Sequence, residues 1–271
     1  MLFSCATPIG NLEDMSFRLI SVMKQADAVA CEDTRRSAKL YQHIKCAVPP
    51  LLRLDSMTEK ACSAKVLELL RKDKTVLLFS DAGTPVVSDP GAYLISRCHQ
   101  ENHAVSPIPG PSAVTSLLSV AGFHCERVIF GGFFPRVEKA ALAFFEDYGH
   151  EKHIFVFFES PKRILKTLDF LAKFFPNDTL CLAKELSKVH ERLYHGRTQE
   201  IFEQFQKEAQ LGQVIKGEWA FALECVASPE IIKISSFISQ MKDIELSKKQ
   251  IMAVGKVFGL RKNQLYSELL E

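Results

Sequence analysis

The chain has 271 residues, of which 47% are hydrophobic and 24% are charged. This is enough apolar material for one large or two medium globular domains, and it excludes a disordered chain. The net charge of +2 provides no overall field for a polyanion, so any nucleic-acid contact has to come from a local basic surface.

The longest apolar runs, such as IFVFF at 154–158, are far shorter than the roughly 20 residues of a membrane span. The start MLFSCATPIG also lacks the pattern of a secretory leader. We therefore expect a cytoplasmic protein with no membrane segment.

The eight cysteines form no CxxC pair and no Cys/His spacing typical of a zinc site. Several lie inside apolar runs, where a free thiol packs as a small hydrophobe. We interpret them as buried thiols of a reducing compartment, and we predict no metal site.

Short β-favouring runs alternate with helical segments through the first half of the chain. After an initial strand LFSCA come the pairs AVAC and SAKLYQHI, TVLLF and AYLISRCHQ, and HAVSPI and SAVTSLLSVA. This alternation is typical of an α/β domain with a largely parallel sheet. The last of these helices stops at Gly122, which places the first domain at 1–122.

The same alternation restarts after Gly122. The strand-like runs RVIFGGF, HIFVFF, TLCLAKEL and EWAFALEC alternate with EKAALAFFEDY, RILKTLDFLAKFF and a helix near 198–208. We therefore predict a second α/β domain at 123–228 and a short helical segment at 229–271, in which Ser247 is a candidate N-cap.

Three Gly/Pro-rich loops of the first half follow predicted strands: TPIGN at 7–11, DAGTPVVSDPG at 81–91 and IPGPSA at 108–113. Each loop alone fits an ordinary tight turn. Ligands of open α/β sheets bind beyond the carboxyl ends of strands, so the three together indicate a ligand pocket. Neither GxGxxG nor GxxxxGK[ST] occurs, so a dinucleotide or P-loop phosphate site is not predicted.

The central loop divides into two parts. Gly83 to Val87 form the part that a ligand requires, because backbone groups there have to approach it closely. Ser88, Asp89 and Pro90 are interpreted as closing the loop and starting the next helix.

Charged residues follow several strands. CEDTRR at 31–36 fits a helix cap followed by solvated charges. In FFESPKR, Glu159 ends a strand and Lys162 and Arg163 enter the first helical turn, where positive charge opposes the helix dipole and hints at a functional use. Lys184 and Glu185 end another strand, where an exposed ion pair is an equally good interpretation.

Eight motifs occur in a fixed order over nearly the whole chain: TPIGNLEDMSFR, ACEDTRRSAKL, SDAGTPVVSDPG, PIPGPSAVTSL, GGFFPR, FFESPKRIL, AKELSKVHERLYHG and KGEWAF. Together they resemble the tetrapyrrole methylase family, and within it the branch that acts on ribosomal RNA. The resemblance implies two α/β domains with S-adenosylmethionine (SAM) in the cleft between them, and a homodimer. It also implies methyl transfer to the ribose 2′-hydroxyl of a cytidine in the decoding region of small-subunit (16S) rRNA, in the assembled 30S subunit.

The resemblance also assigns the cofactor site. The implied SAM contacts are Pro8, Ile9, Gly10, Asp81, Gly83, Thr84, Pro85, Val87, Ser112, Ala113, Phe158, Trp219 and Ala220. Two further readings stay open: a methyltransferase of a tetrapyrrole or other small molecule, and a non-catalytic RNA-binding assembly factor.

Removal of the hydroxyl proton requires a base, or a cation that stabilises the developing alkoxide. Glu159 and Glu185 are the candidate acceptors, and Arg35, Arg163 and Lys184 the candidate cations or phosphate clamps.

The sequence departs from the rRNA branch in four places. The basic run expected after GGFFPR is thin, with only Arg136 and Lys139. LDSMTE at 54–59 replaces a His/Asn-rich segment and retains only Glu59, Lys162 stands where His is usual, and Lys184 stands where Arg is usual.

RNA contacts are expected in two places. Phe133, Phe134 and Arg136 are candidates to grip an unstacked nucleotide, although a buried Phe is the commoner outcome. The C-terminal segment is either an RNA-docking module or a solvated helix face, and its basic residues are Lys248, Lys249, Lys256, Arg261 and Lys262.

Overall fold

The computed structural model describes residues 1–148, 152–210, 216–225, 241–243 and 246–257. The strands are β1 Leu2–Cys5, β2 Ala28–Cys31, β3 Leu51–Arg53, β4 Val76–Phe79, β5 Val105–Ile108, β6 Val128–Phe133, β7 His153–Glu159, β8 Thr179–Lys184, β9 Arg192–Arg197 and β10 Trp219–Cys225. The helices are α1 Phe17–Met23, α2 Thr34–His43, α3 Glu59–Leu70, α4 Ala92–Gln100, α5 Ala113–Ala121, α6 Glu138–Asp147, α7 Ile164–Phe174, α8 Thr198–Gln210 and α9 Lys248–Val257.

The first sheet is parallel throughout and has the strand order β3-β2-β4-β1-β5. β2 and β4 are buried at every position, which explains why AVAC and VLLF are continuous apolar runs. Alternate residues of these strands pack against α3 and α4 on one face and against α1 and α2 on the other. Helices on both faces exclude water from this sheet and leave its strand ends open for a site.

The second sheet is mixed and has the order β6-β7-β10-β8-β9, with β6 parallel to β7 and β8 antiparallel to both β10 and β9. Leu117 and Ala121 of α5 pack on β7, β8 and β10. α5 ends at Gly122 in a left-handed conformation, as predicted from the sequence. The helix that follows the last strand of the first sheet thus covers the second sheet.

The predicted α/β fold with a C-terminal helix is confirmed. One compact unit, Met1–Phe134 with His153–Glu224, contains both sheets, and a second contains Pro135–Lys152 and the chain from Cys225 onward. The domain limits after residues 122 and 228 stay predictions. None of the helices in the described ranges is long and apolar enough to cross a membrane.

The C-terminal helix α9 begins directly after Ser247, the predicted N-cap. The Ser247 hydroxyl donates to Gln250 Oε1 at 2.5 Å. Lys248 and Lys249 are exposed in the first turn, whereas Arg261 and Lys262 lie outside the described residues.

Candidate active site

The three Gly/Pro-rich loops meet because β4, β1 and β5 are neighbours in the first sheet. Parallel strands end at the same edge, so the loops that follow them emerge side by side. Thr7 and Gly83 exchange two backbone hydrogen bonds, of 2.9 and 3.0 Å. The Thr84 hydroxyl donates to the Pro111 carbonyl at 3.3 Å, which joins the second loop to the third. The sequence prediction that these loops share one edge is confirmed.

The second loop has unusual backbone geometry. Gly83 has a φ of +79°, and a Cβ there would lie 3.2 Å from Ile9 Cγ2. Val86 and Ser88 also have positive φ values, of 74° and 67°, which residues other than glycine rarely adopt. Backbone strain of this kind persists only where the surroundings hold it, and it is concentrated at functional sites.

Glu59 holds the far end of this loop. Its carboxylate accepts hydrogen bonds from the backbone N–H groups of Gly91 at 2.8 Å and Tyr93 at 3.1 Å. The interpretation that Ser88 and Asp89 start α4 is therefore wrong, because its N-cap residue Gly91 has no side-chain cap and the acceptor comes from α3. Glu59, the residue retained in LDSMTE, thus acts on the predicted ligand loop.

A cavity of about 290 Å³ lies between these loops and the edge of the second sheet. The second sheet contributes the carboxyl ends of β6, β7 and β8 and the start of the antiparallel β10. The predicted cofactor residues that line it are Ile9, Asp81, Gly83, Thr84, Val87, Ser112, Ala113, Phe158, Trp219 and Ala220. Pro8, Gly10 and Pro85 are absent from the lining.

Gly10 instead serves a close contact. A Cβ at this position would lie 2.2 Å from Lys188 Cγ, so the aliphatic stem of Lys188 packs directly over the first loop. The Lys188 ammonium donates to Glu185 at 3.0 Å and to Glu218 at 2.8 Å. A hydrogen bond between the Ser187 hydroxyl and Asp14 joins the same two segments.

Glu185 takes part in the same contact between segments as Lys188 and Glu218. Its carboxylate accepts from the Glu218 backbone N–H at 2.7 Å as well as from Lys188. Burial opposes ionisation, but the hydrogen bonds from Glu218 and Lys188 outweigh it, so the pKa of Glu185 is lowered. The ammonium of neighbouring Lys184 lies 5.6 Å from the centre of the Trp219 ring, a cation–π distance. Glu185 therefore links the loop after β8 to the backbone just before β10.

Glu159 lines the cavity, but both of its carboxylate oxygens already accept hydrogen bonds from neighbouring groups. Its side chain is 0% exposed and forms an ion pair with Arg163 at 2.7 Å. It also accepts from the Thr167 hydroxyl and the Ser160 backbone N–H, each at 2.6 Å. Arg163 donates a further bond to the Phe134 carbonyl at 2.5 Å. α7 begins at Ile164, so Arg163 is its N-cap residue and precedes the first turn in which the sequence placed it. Its positive charge still lies at the helix N-terminus, where the Glu159 carboxylate offsets it.

The predicted cation Arg35 does not line the cavity. It pairs with Asp33 at 2.7 Å and its side chain is 86% exposed. Asp33 also caps α2 through the Arg35 backbone N–H, and these bonds lower the Asp33 pKa strongly. The neighbouring Arg36 lines the cavity instead, with its Nε 3.5 Å from Asp81. Helical geometry separates the two arginines, and their adjacency in sequence gives no signal for which one faces the site.

Asp89 is the cavity residue that the sequence analysis misassigned. It lines the cavity, as do Ser88, Phe133 and Phe158. Burial, reinforced by the negative charges of Glu32 and Asp81, raises its pKa to about 6. Unlike Asp81 and Glu159, it has no arginine partner within the described part of the chain. A carboxyl group with these properties can take up and release a proton near neutral pH.

Comparisons with known proteins agree with this geometry. Residues 1–201 match the family of Tetrapyrrole (Corrin/Porphyrin) Methylases. The chain is 37% identical over 213 residues to ribosomal RNA small subunit methyltransferase I of Thermotoga maritima, covering 79% of this chain and 95% of that protein. It is 32% identical over 279 residues to the protein of the same name from Pasteurella multocida, covering 100% and 97%.

The fold has solved counterparts at low sequence identity. A crystal structure of diphthine synthase is similar with a TM-score of 0.61 at 13% identity, covering 83% of this chain and 90% of that one. At this identity the similarity supports the two-sheet fold alone. The family match and the identities to full-length relatives go further, and they show that the chain belongs to the tetrapyrrole (corrin/porphyrin) methylase family.

Proposed function

We propose that this protein transfers a methyl group from SAM to the ribose 2′-hydroxyl of a cytidine in small-subunit (16S) rRNA. The observation that carries the proposal is that ten of the residues implied by the resemblance line one cavity. The relatives named ribosomal RNA small subunit methyltransferase I, at 37% and 32% identity, support RNA rather than a tetrapyrrole as the substrate.

The residues of the cavity fit SAM. Gly83 has no side chain, so Ile9 of the first loop and the Pro111 carbonyl of the third loop approach its backbone closely, and the three loops form one continuous wall of the cavity. Apolar groups from Ile9, Val87 and Phe158 suit the adenosyl part, and the carboxylate of Asp81 suits hydroxyl or ammonium groups. Thr84, Ser112, Ala113, Trp219 and Ala220 complete the proposed binding set. When bound, SAM supplies an electrophilic methyl group on a sulfonium.

The protein's own part in the reaction is positioning and proton removal. The walls from two sheets would shield the 2′-hydroxyl from bulk water and position it for attack on the methyl group. Asp89 is our proposed proton acceptor, because it is the cavity carboxyl without a cationic partner among the described residues and its pKa is about 6. Glu159 and Glu185 then hold the walls in place: Glu159 fixes the end of β7, and Glu185 closes the loop beside β10.

Three further parts of the proposal rest on the family resemblance. The protein acts as a homodimer, in the cytoplasm, on the assembled 30S subunit. Lys248 and Lys249, exposed at the start of α9, are available to contact RNA phosphates. Light scattering of the purified protein measures its mass, and a monomer at working concentration would exclude the dimer.

Mass mapping of ribose methylation tests the activity. Small-subunit rRNA from cells with and without the protein is digested, and each cytidine of the decoding region is examined for a 2′-O-methyl group. We expect one methylated cytidine that disappears when the protein is absent. In parallel, purified protein with labelled SAM should label isolated small subunits and leave porphyrinoids unlabelled. Label on porphyrinoids alone would support the small-molecule alternative, and SAM binding without any transfer would support an assembly factor.

A further inference from the structure

β6 carries a bulge just before it ends at the cavity. Phe130 of β6 pairs with Val156 of β7. Phe133, three residues later, pairs with Phe158, which is only two residues further along β7, so β6 holds one extra residue. Gly132 has a φ of +68° within this bulge.

The bulge decides which way Phe133 faces. Residues three apart on a regular strand lie on opposite faces of a sheet, and one extra residue reverses that relation. Phe133 therefore lies on the same face as Phe130 and Phe158, and its ring contacts Phe158 in a T-shaped arrangement with centroids 6.0 Å apart. Phe134 takes the opposite face, where it packs against Phe157 at 5.2 Å.

The two adjacent phenylalanines consequently have different environments. Phe134 is 4% exposed, so the interpretation of this residue as an RNA contact is wrong. Phe133 is 59% exposed and lines the cavity. A bulge that turns a large aromatic ring towards a cavity instead of into the core indicates a ligand for that ring.

The charges beside Phe133 favour an uncharged partner. Asp81, Asp89 and Glu159 line the same cavity, and Arg36 there is paired with Asp81. A phosphate is disfavoured in this surrounding, whereas a nucleobase offers a neutral π-face. The 2′-hydroxyls of an RNA helix line its shallow minor groove, so a recessed cavity is reached most directly when the nucleotide is splayed out of its stack, and its base then needs a new stacking partner.

We infer that Phe133 is the stacking platform for the base of the target nucleotide. The inference rests on the proposed RNA methyltransferase function and adds the residue that receives the extruded cytosine. Stacking of one base on one aromatic side chain corresponds to a factor of roughly 5 to 150 in affinity. Phe133 then contributes to binding of the RNA and leaves SAM binding nearly unchanged.

Phe133→Leu tests this role because leucine keeps the apolar bulk and removes the π-face. The control is Phe17→Leu, which removes the ring of another exposed phenylalanine, 94% exposed against 59% for Phe133, at the start of α1. Phe133→Tyr and Phe133→Trp keep an aromatic ring. Each variant is assayed for kcat and KM with small subunits, for SAM Kd by calorimetry and for folding by circular dichroism.

We expect Phe133→Leu to lower kcat/KM for small subunits about 10- to 100-fold, while its SAM Kd changes less than about threefold. Tyr and Trp should restore most of the activity, and Phe17→Leu should match the wild type. Wild-type kcat/KM in Phe133→Leu would overturn the inference, as would a SAM affinity that falls in step with activity, because Phe133 would then belong to the cofactor wall. If the wild-type protein itself leaves small subunits unmethylated, the proposed function fails and not this inference alone.

Discussion

Asp89→Asn is expected to raise the stability of the protein at neutral pH and to abolish methyl transfer. Asp89 is half-buried beside the negative charges of Glu32 and Asp81, and its pKa is raised from the ordinary value of 3.8 to about 6. The folded protein therefore binds more protons than the unfolded chain between these two values. The free energy of unfolding contributed by Asp89 is fully present below pH 3.8 and is lost as the pH rises to about 6.

The size of this loss follows from the pKa difference. The change from 3.8 to about 6 corresponds to about 3 kcal/mol at 1.36 kcal/mol per pH unit. Solvent screening of a partly exposed group reduces this to roughly 1–2 kcal/mol. Asn has a similar shape and no charge, so Asp89→Asn should be more stable than the wild type by this amount at pH 7.5 and nearly equal to it at pH 4. For a chain of this size the difference corresponds to a Tm increase of roughly 2–4 °C.

Thermal unfolding of both proteins across pH 4 to 8 measures this effect, and methyl transfer to small subunits is followed in parallel. Wild-type kcat/KM should rise with pH and level off above about 6, as the base loses its proton. Asp89→Asn should show little transfer at any pH while SAM binding persists. The control is Asp27→Asn, because hydrogen bonds from Thr75 and Lys74 lower the Asp27 pKa and its loss should destabilise the protein at neutral pH. Wild-type activity in Asp89→Asn, or a Tm difference independent of pH, would refute the assignment.

Three further substitutions test the architecture around the cavity. Gly83→Val should abolish SAM binding measured by calorimetry, because its φ of +79° and the 3.2 Å approach to Ile9 leave no room for a side chain. Glu159→Gln should lower the free energy of unfolding, measured in urea, by about 2–4 kcal/mol because the Arg163 guanidinium loses its buried ionic partner. Glu59→Ala should weaken SAM binding about 5- to 20-fold, because two backbone N–H groups at the start of α4 lose their acceptor.

Each substitution has a matched control. Gly122→Ala changes a glycine with open space around it and positive φ, so it should lower stability and leave SAM affinity intact. Asp33→Asn removes an exposed ion pair and keeps the helix cap, so its effect in urea should be small beside that of Glu159→Gln. Glu59→Gln retains one acceptor oxygen and should fall between Glu59→Ala and the wild type. Full SAM affinity in Gly83→Val or Glu59→Ala would contradict the placement of the cofactor, and an unchanged urea midpoint in Glu159→Gln would show that its ion pair adds nothing to stability.

The sequence by itself determined the class of fold and the loops that form the cavity. Continuous apolar runs such as AVAC and VLLF require strands buried on both faces, and glycine and proline after them mark loops at one sheet edge. The role of Gly83 was predictable because a glycine just after a strand indicates a local backbone conformation or a close approach that a side chain would prevent. Gly122 was predictable for the same kind of reason, as the stop of α5.

The tertiary structure alone decided the roles of the charged and aromatic side chains. Glu159 and Glu185 satisfy neighbouring groups that lie 4 to 33 residues away in sequence, at Arg163 and at Glu218. Arg36 rather than Arg35 faces the cavity, since one helical step turns a side chain by about 100°. The role of an acidic side chain depends on its partners, and for Glu185 the partner at Glu218 lies on a distant segment of the chain. One extra residue in β6 likewise separates the exposed Phe133 from the buried Phe134, because it reverses the face each side chain occupies.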